Sequence, residues 1–158
     1  ALLLGRRGSR GDRGDRVRRV VATGTFDILH PGHIYYLEES RRLGDELHVI
    51  VARDVNVRHK PRPIVPEAQR LQMVSALKPV DHACLGDLDD MYRPIREIRP
   101  AVITLGYNQH FSEERLRQEL RARGLETEVV RIGPYCGAPL VSSTQIVQRA
   151  IELRSPKP

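Results

Sequence analysis

Two histidines three residues apart, His30 and His33, close the run Gly24-Thr25-Phe26-Asp27-Ile28-Leu29-His30-Pro31-Gly32-His33. On a helix that spacing puts both imidazoles on one face. Gly24 allows a tight turn before them, Pro31 presets a helical start, and Gly32 removes a side chain where a ligand approaches. The free N–H groups of a helix start carry partial positive charge and bind phosphate. Imidazoles add donors that are neutral or charged near pH 7. Phosphoryl and nucleotidyl transfer need this combination: positioning and charge stabilisation, with little covalent chemistry. A single histidine here would read as a helix cap or a packed core group. Gly, Asp, two His, Pro and Gly gathered at one turn point to chemistry instead.

Ser142-Ser143-Thr144-Gln145-Ile146 opens a later helix. Ser142 and Gln145 fit a capping box, and a capped helix start remains open to phosphate. Arg58-His59-Lys60-Pro61-Arg62-Pro63 is either a solvated basic loop or a phosphate clamp, with Lys60 or Arg62 as the cation. Arg70 begins a helix and is either a ligand contact or a surface arginine. In Gly106-Tyr107-Asn108-Gln109-His110, Asn108 has the donors and acceptors to read a base or ribose, and Tyr107 has a ring to stack. Tyr135 is placed to cover a nucleotide. Asp27 is either a turn residue or a metal contact. Cys84 and Cys136 are far apart and form no metal or disulfide framework, which suits a reducing, cytoplasmic setting.

These residues need elements to hold them. Residues 18–24 read as a buried strand, 30–43 as a helix closed by Gly44, and 46–52 as a second strand. Residues 53–66, rich in proline and basic groups, form a long loop. A helix over 66–78, a strand over 82–85, a helix over 94–98 and a strand over 101–105 follow. Then come a helix over 112–123, a strand over 126–132 and a helix over 143–153 bearing Ile146, Val147, Ala150 and Ile151. Five strand–helix alternations predict an α/β fold: a doubly wound, five-stranded parallel sheet with helices on both faces. Ligands then bind beyond the carboxyl ends of the strands, where every candidate above lies.

The 158 residues make one domain, and aromatics at 4% with no Trp leave the core aliphatic. No apolar run approaches a membrane span. Residues 1–17 read as a disordered basic tail without a secretory signal's apolar core, and residues 18–158 as a single domain. Residues 1–19 carry seven arginines against two aspartates; the rest carries 19 basic against 18 acidic groups. The near-neutral body argues against a nucleic-acid partner.

The turn over 24–33 closely resembles the His-x-Gly-His signature of the nucleotidyltransferase superfamily. Ser142–Ile146 resembles its second signature, which cradles the β- and γ-phosphates that leave as pyrophosphate. Residues 18–153 thus look like the cytidylyltransferase-like branch, with a Rossmann-like fold. The phrases GTFDILHPGH, DELHVIVARD, EAQRLQMVSALKPVD and LGYNQHFSEE resemble the archaeal-type FAD synthetase family, whose members transfer AMP from ATP to FMN. The resemblance implies ATP contacts from Thr25, Phe26, His30, Gly32 and His33. It implies charge neutralisation by His30, His33 and Lys60, and further nucleotide contacts from Asn108, Tyr135, Ser142, Ser143 and Thr144. A divalent metal, Mg²⁺, would bridge phosphates without a protein cage. Asn108 stands where the family usually has Asp, which removes a charge. Only Cys136 stands where many members carry paired cysteines.

The nearest rival keeps the chemistry and exchanges the substrates for CTP and glycerol 3-phosphate. A non-catalytic nucleotide-binding module is another. FMN requires an apolar slot, for which Tyr35, Tyr36, Tyr92, Tyr107, Phe111 and Tyr135 are the available aromatics. Oligomeric state is left open, with a homodimer through sheet-edge or helix surfaces as one arrangement.

Overall fold

The computed structural model describes residues 16–58 and 60–156. Five strands, β1 (Arg19–Gly24), β2 (Glu46–Val51), β3 (His82–Leu85), β4 (Val102–Leu105) and β5 (Glu128–Arg131), form one parallel sheet in the order β3-β2-β1-β4-β5. Five α-helices alternate with them: α1 (Pro31–Arg41), α2 (Glu67–Ser75), α3 (Arg93–Ile98), α4 (Glu113–Arg121) and α5 (Ser143–Arg154). The predicted sheet and its two helical layers are present. The long loop after β2 contains a single 3-10 turn over Asp54–Asn56 that its polar sequence did not announce.

Strand periodicity sorts the core into two halves. Val20 and Ala22 of β1, Leu47, Val49 and Val51 of β2 and Val102 of β4 pack with Tyr36 and Leu37 of α1 and Val74 of α2. Val21, Ile50, Ile103, Leu105 and Val129 face the other way, onto Ile95 of α3 and Leu116 and Leu120 of α4. Nearly all of these side chains are fully buried and aliphatic, as the composition requires.

The final helix departs from expectation. No residue of α5 is buried: Ile146 and Val147 are half-buried, while Ala150 is exposed and Ile151 is 51% exposed. Its apolar positions are therefore not core, and its partly buried residues end at Val147. The expected tail over 1–17 lies outside the described residues except for Arg16 and Val17, which are exposed.

The chain leaves β1 toward β2 and β4 toward β5 on opposite sides, so a crevice opens between the carboxyl ends of β1 and β4. A buried polar network closes its floor. The Tyr36 hydroxyl donates to the Thr104 carbonyl at 2.9 Å and accepts from the Thr23 N–H at 3.2 Å. The Ser40 and Thr104 hydroxyls lie 2.8 Å apart. Burial pushes the Tyr36 phenol up to about 12, so it stays a neutral donor.

Candidate active site

A cleft of about 490 Å³ occupies this crevice, within the usual range for small-molecule sites. Thr25, Phe26, His30, Gly32, His33, Lys60, Asn108, Tyr135, Ser142, Ser143 and Thr144 all line it, as do Arg62 and Tyr107. Segments more than 100 residues apart in sequence thus converge on one space.

His30 is the N-cap of α1 and His33 lies in its first turn, after Pro31. Their rings stack at 3.7 Å between centroids. Both Nδ1 atoms are buried without a hydrogen-bond partner among the described residues. An orphaned buried polar atom is costly, and two side by side mark a place where a ligand supplies the partner. Burial, then the nearby His30 and Lys60, holds the His33 imidazole down to about 3. Desolvation also lowers His30. The free site therefore presents two neutral imidazoles at pH 7. Desolvation lowers the Lys60 ammonium as well, opposed by the carboxylate of Asp27.

The two signature segments are fastened to each other. The Ser143 hydroxyl donates to the Ile28 carbonyl at 3.0 Å. Ser142 caps α5 by accepting from the Gln145 N–H at 3.2 Å, and the Gln145 amide oxygen accepts from the Val141 N–H at 2.8 Å. The capping box is thus present, shifted by one residue on its return arm. The Ser142 and Ser143 hydroxyls serve the scaffold here; Thr144 is exposed to the cleft.

Three other candidates make scaffold contacts of their own. At Gly32 it is the protein that approaches closely: an added Cβ would sit 2.9 Å from His30 Nδ1 and 3.0 Å from the Val141 carbonyl oxygen. Phe26 has φ of 53°, and its ring, 2% exposed, packs under His33 at 5.3 Å. It supports the His33 ring from beneath, at a strained backbone position. Arg70 is neither a surface group nor a cleft contact. It is 1% exposed and donates to the carbonyls of Val65 at 2.9 Å and Ala52 at 2.8 Å, to the Thr25 carbonyl, and to Asp54 Oδ1 at 2.6 Å. One guanidinium fork joins the loop after β1 to both ends of the loop after β2. The basic run divides too, since Arg58 turns away to the Val55 carbonyl at 3.5 Å.

Asp27 holds the same loop down. Its two carboxylate oxygens accept from the N–H groups of Ile64 at 3.0 Å and Val65 at 2.8 Å. It is the single carboxylate among the described residues of the cleft. One already engaged carboxylate does not make a cage for a divalent cation.

Sequence reasoning missed two residues that shape the far wall. The Gln109 amide accepts from the Gly106 N–H at 2.7 Å and donates to the Thr23 carbonyl at 3.0 Å, tying β4 to β1. Arg131 donates to the carbonyls of Gly106, Gln109 and Phe111 at 2.6–3.1 Å while pairing with Glu113 at 2.7 Å. These clamps leave Asn108 exposed at the rim. An arginine ending a short strand was the only available signal.

The aromatics separate by position. Tyr35 and Tyr135 pack in a tilted pair at 5.3 Å and line a neighbouring, largely apolar groove of about 430 Å³ with Leu29, Ile34 and Leu77, next to His30. Tyr36 is core, and Tyr92 lies on the other face beneath the Arg123 guanidinium at 3.9 Å. Tyr107 and Phe111 are exposed. Among the described residues no helix is long and apolar enough to cross a membrane.

Residues 21–149 match the cytidylyltransferase-like family model. A protein named FAD synthase from Methanoculleus marisnigri is 71% identical over 138 residues, spanning 87% of this chain and 92% of that protein. Another of that name from Archaeoglobus profundus is 61% identical over 135 residues, spanning 85% and 87%. Among solved structures, a protein titled a lipopolysaccharide core biosynthesis protein from Thermoplasma volcanium superposes with a TM-score of 0.74. It is 48% identical, with 77% of this chain and 100% of that one covered. A protein of unknown function from Archaeoglobus fulgidus, at 19% identity and a TM-score of 0.60, shares the fold. The family model covers most of the chain, and the histidine turn and serine helix start that resembled it lie on one cleft: this chain belongs to the cytidylyltransferase-like family of nucleotidyltransferases.

Proposed function

We propose that this enzyme transfers the adenylyl group of ATP to FMN, forming FAD and pyrophosphate. The observation that carries the reading is the stacked His30–His33 pair, with two buried nitrogens unpartnered among the described residues, set between two helix starts in one cleft. The relatives named FAD synthase supply the choice of substrates.

A phosphate oxygen of FMN attacks the α-phosphorus of ATP in line. The bond from that phosphorus to the bridging oxygen breaks, and pyrophosphate leaves with the electron pair. Charge grows on the leaving group, and His30, His33 and Lys60 stand where donors neutralise it. Anionic phosphates beside the imidazoles favour their protonated form, so substrate reverses the depression seen in the free site. The N-terminus of α5, anchored to Ile28 through Ser143, faces the β- and γ-phosphates with Thr144. Thr25, Gly32 and the backbone of Phe26 form the surface under the phosphates, and Asn108 and Tyr135 flank the nucleoside. Asn108 at the usual aspartate position keeps hydrogen bonding to a base without the charge. Mg²⁺ would be held by the nucleotide's phosphates and by water, since the described residues of the cleft offer no cage for it. The groove of Leu29, Ile34, Tyr35, Leu77 and Tyr135 has the apolar surface that the flavin rings require. Glycerol phosphate has no use for such a surface. ATP, FMN and two free thiols suit a cytoplasmic enzyme. A homodimer belongs to the same proposal because Ile151 and Leu153 of α5 expose apolar surface; sedimentation velocity tests it.

The test is pyrophosphate release with Mg²⁺ and ATP or CTP, each crossed with FMN or glycerol 3-phosphate. We expect release with ATP plus FMN alone, and a fall of at least about 100-fold in His30→Ala and His33→Ala. Tyr35→Ala should raise KM for FMN while leaving KM for ATP in place. Release only with CTP plus glycerol 3-phosphate would overturn the substrates and keep the chemistry. Nucleotide binding with no release from any pair would leave a binding module.

A further inference from the structure

Away from the cleft, at the amino ends of β2 and β3, three metal-ligating side chains meet. Glu46 and His48 are two apart on β2 and so share a face, and His82 is the registered partner of His48 on the edge strand β3. The two imidazoles stack at 4.5 Å between centroids, and His48 Nε2 lies 3.2 Å from Glu46 Oε2. One donor atom from each residue lies within 4.8 Å of the other two. The cluster is graded from inside to outside: the His48 side chain is 17% exposed, Glu46 34%, and His82 is exposed. Nothing in the proposed transfer reaction uses it.

Nitrogen and carboxylate donors at zinc distances of about 2.0–2.2 Å in a tetrahedron lie about 3.3 Å apart. The exposed His82 and the half-exposed Glu46 are the two side chains with room to rotate and shorten the observed spacing. Two imidazoles and one carboxylate suit a borderline ion such as zinc and are a poor match for Mg²⁺, which prefers oxygen. We propose that Glu46, His48 and His82 form a zinc site with three protein ligands and one position for water. A metal there would pin the edge strand β3 to β2 at the end of the sheet opposite the chemistry. Arg19 competes for the carboxylate as an ion pair, with Nε 3.6 Å from Glu46 Oε2, while its guanidinium donates to the Ile98 carbonyl at 3.4 Å. Its positive charge keeps affinity below that of a dedicated site.

The test uses the untagged full chain without nucleotide, titrated with Zn²⁺ by calorimetry and with Co²⁺ by visible absorption. We expect one saturable equivalent and a rise in Tm with Zn²⁺. His82→Ala, at an exposed position, should weaken binding by at least about 100-fold, since the loss of mere outer partners already costs about 10–100-fold. Its circular dichroism and its Mg²⁺-supported turnover should match the parent. Glu46→Gln should weaken binding as well, and Arg19→Ala should tighten it. His33→Ala should bind as the parent does. The proposal is overturned if the parent binds no zinc or if His82→Ala binds it unchanged. Loss of binding in His33→Ala alone would place the ion on the cleft pair and equally overturn it.

Discussion

At Gly32, residue type and function are tied by less than an ångström of space. A methyl group there meets the His30 ring at 2.9 Å and the Val141 carbonyl at 3.0 Å. Alanine is also the better helix former by about 1 kcal/mol. The two effects oppose each other in stability but not in catalysis. The ring can rotate away, so folding survives, but a displaced imidazole no longer meets the phosphate. Gly32→Ala should therefore keep its unfolding free energy within about 1 kcal/mol of the parent while kcat falls at least about tenfold. Denaturant titration and steady-state kinetics on one preparation check this split. Equal losses in both would mean that Gly32 serves only the packing of α1 against the segment before α5. The presence of a glycine was legible in the sequence. Its neighbour was not, because Val141 is over 100 residues away and only the fold brings its carbonyl to α1.

The elements were legible where periodicity is strong. All five strands and five helices lie within a few residues of their expected bounds. Apolar spacing misled only at α5, where Ile146, Val147, Ala150 and Ile151 mark a face that the sheet does not reach. The loops were harder to read because their order comes from side-chain clamps rather than from pattern. The segment between β2 and α2 depends on Arg70, which holds both of its ends, and on Asp27, which holds the end nearer α2. Lysine at position 70 keeps the charge and loses the fork, leaving buried carbonyls of Val65, Ala52 or Thr25 without a donor. Each such loss costs about 1–3 kcal/mol. Arg70→Lys should destabilise the fold by about 2–4 kcal/mol and also loosen the loop that carries Lys60. KM for the nucleotide should then rise in the variant at a temperature where it is fully folded. An unchanged KM would show that Lys60 is placed by Asp27 alone.

For the whole molecule, the cleft imposes a dependence on pH that the charge count conceals. Neutral histidines are held in a desolvated pair, while the unfolded chain protonates them near pH 6.5. Below that pH the unfolded state holds more protons than the folded one, so stability falls with acidification. For His33 the loss continues down to about pH 3, where the folded imidazole also charges. Each such group contributes at most about 1.4 kcal/mol per pH unit. Asp54, Asp87 and Asp90, whose pKa values are lowered by partners including Arg70 and Arg96 or by backbone N–H groups, respond in the same direction. Their contribution is lost only as pH drops through the carboxylate range, below about 4. The interval from pH 6.5 to 4.5 thus belongs to the histidines. In it the parent should lose stability more steeply than His33→Gln, by up to about 1.4 kcal/mol per unit, as read from denaturant midpoints at fixed ionic strength. A saturating pyrophosphate ligand should flatten the parent's slope, because its charge restores the protonated imidazoles in the folded state. Identical slopes for parent and variant would mean that His33 is already charged in the free enzyme, and the neutral-pair account of the cleft would fail.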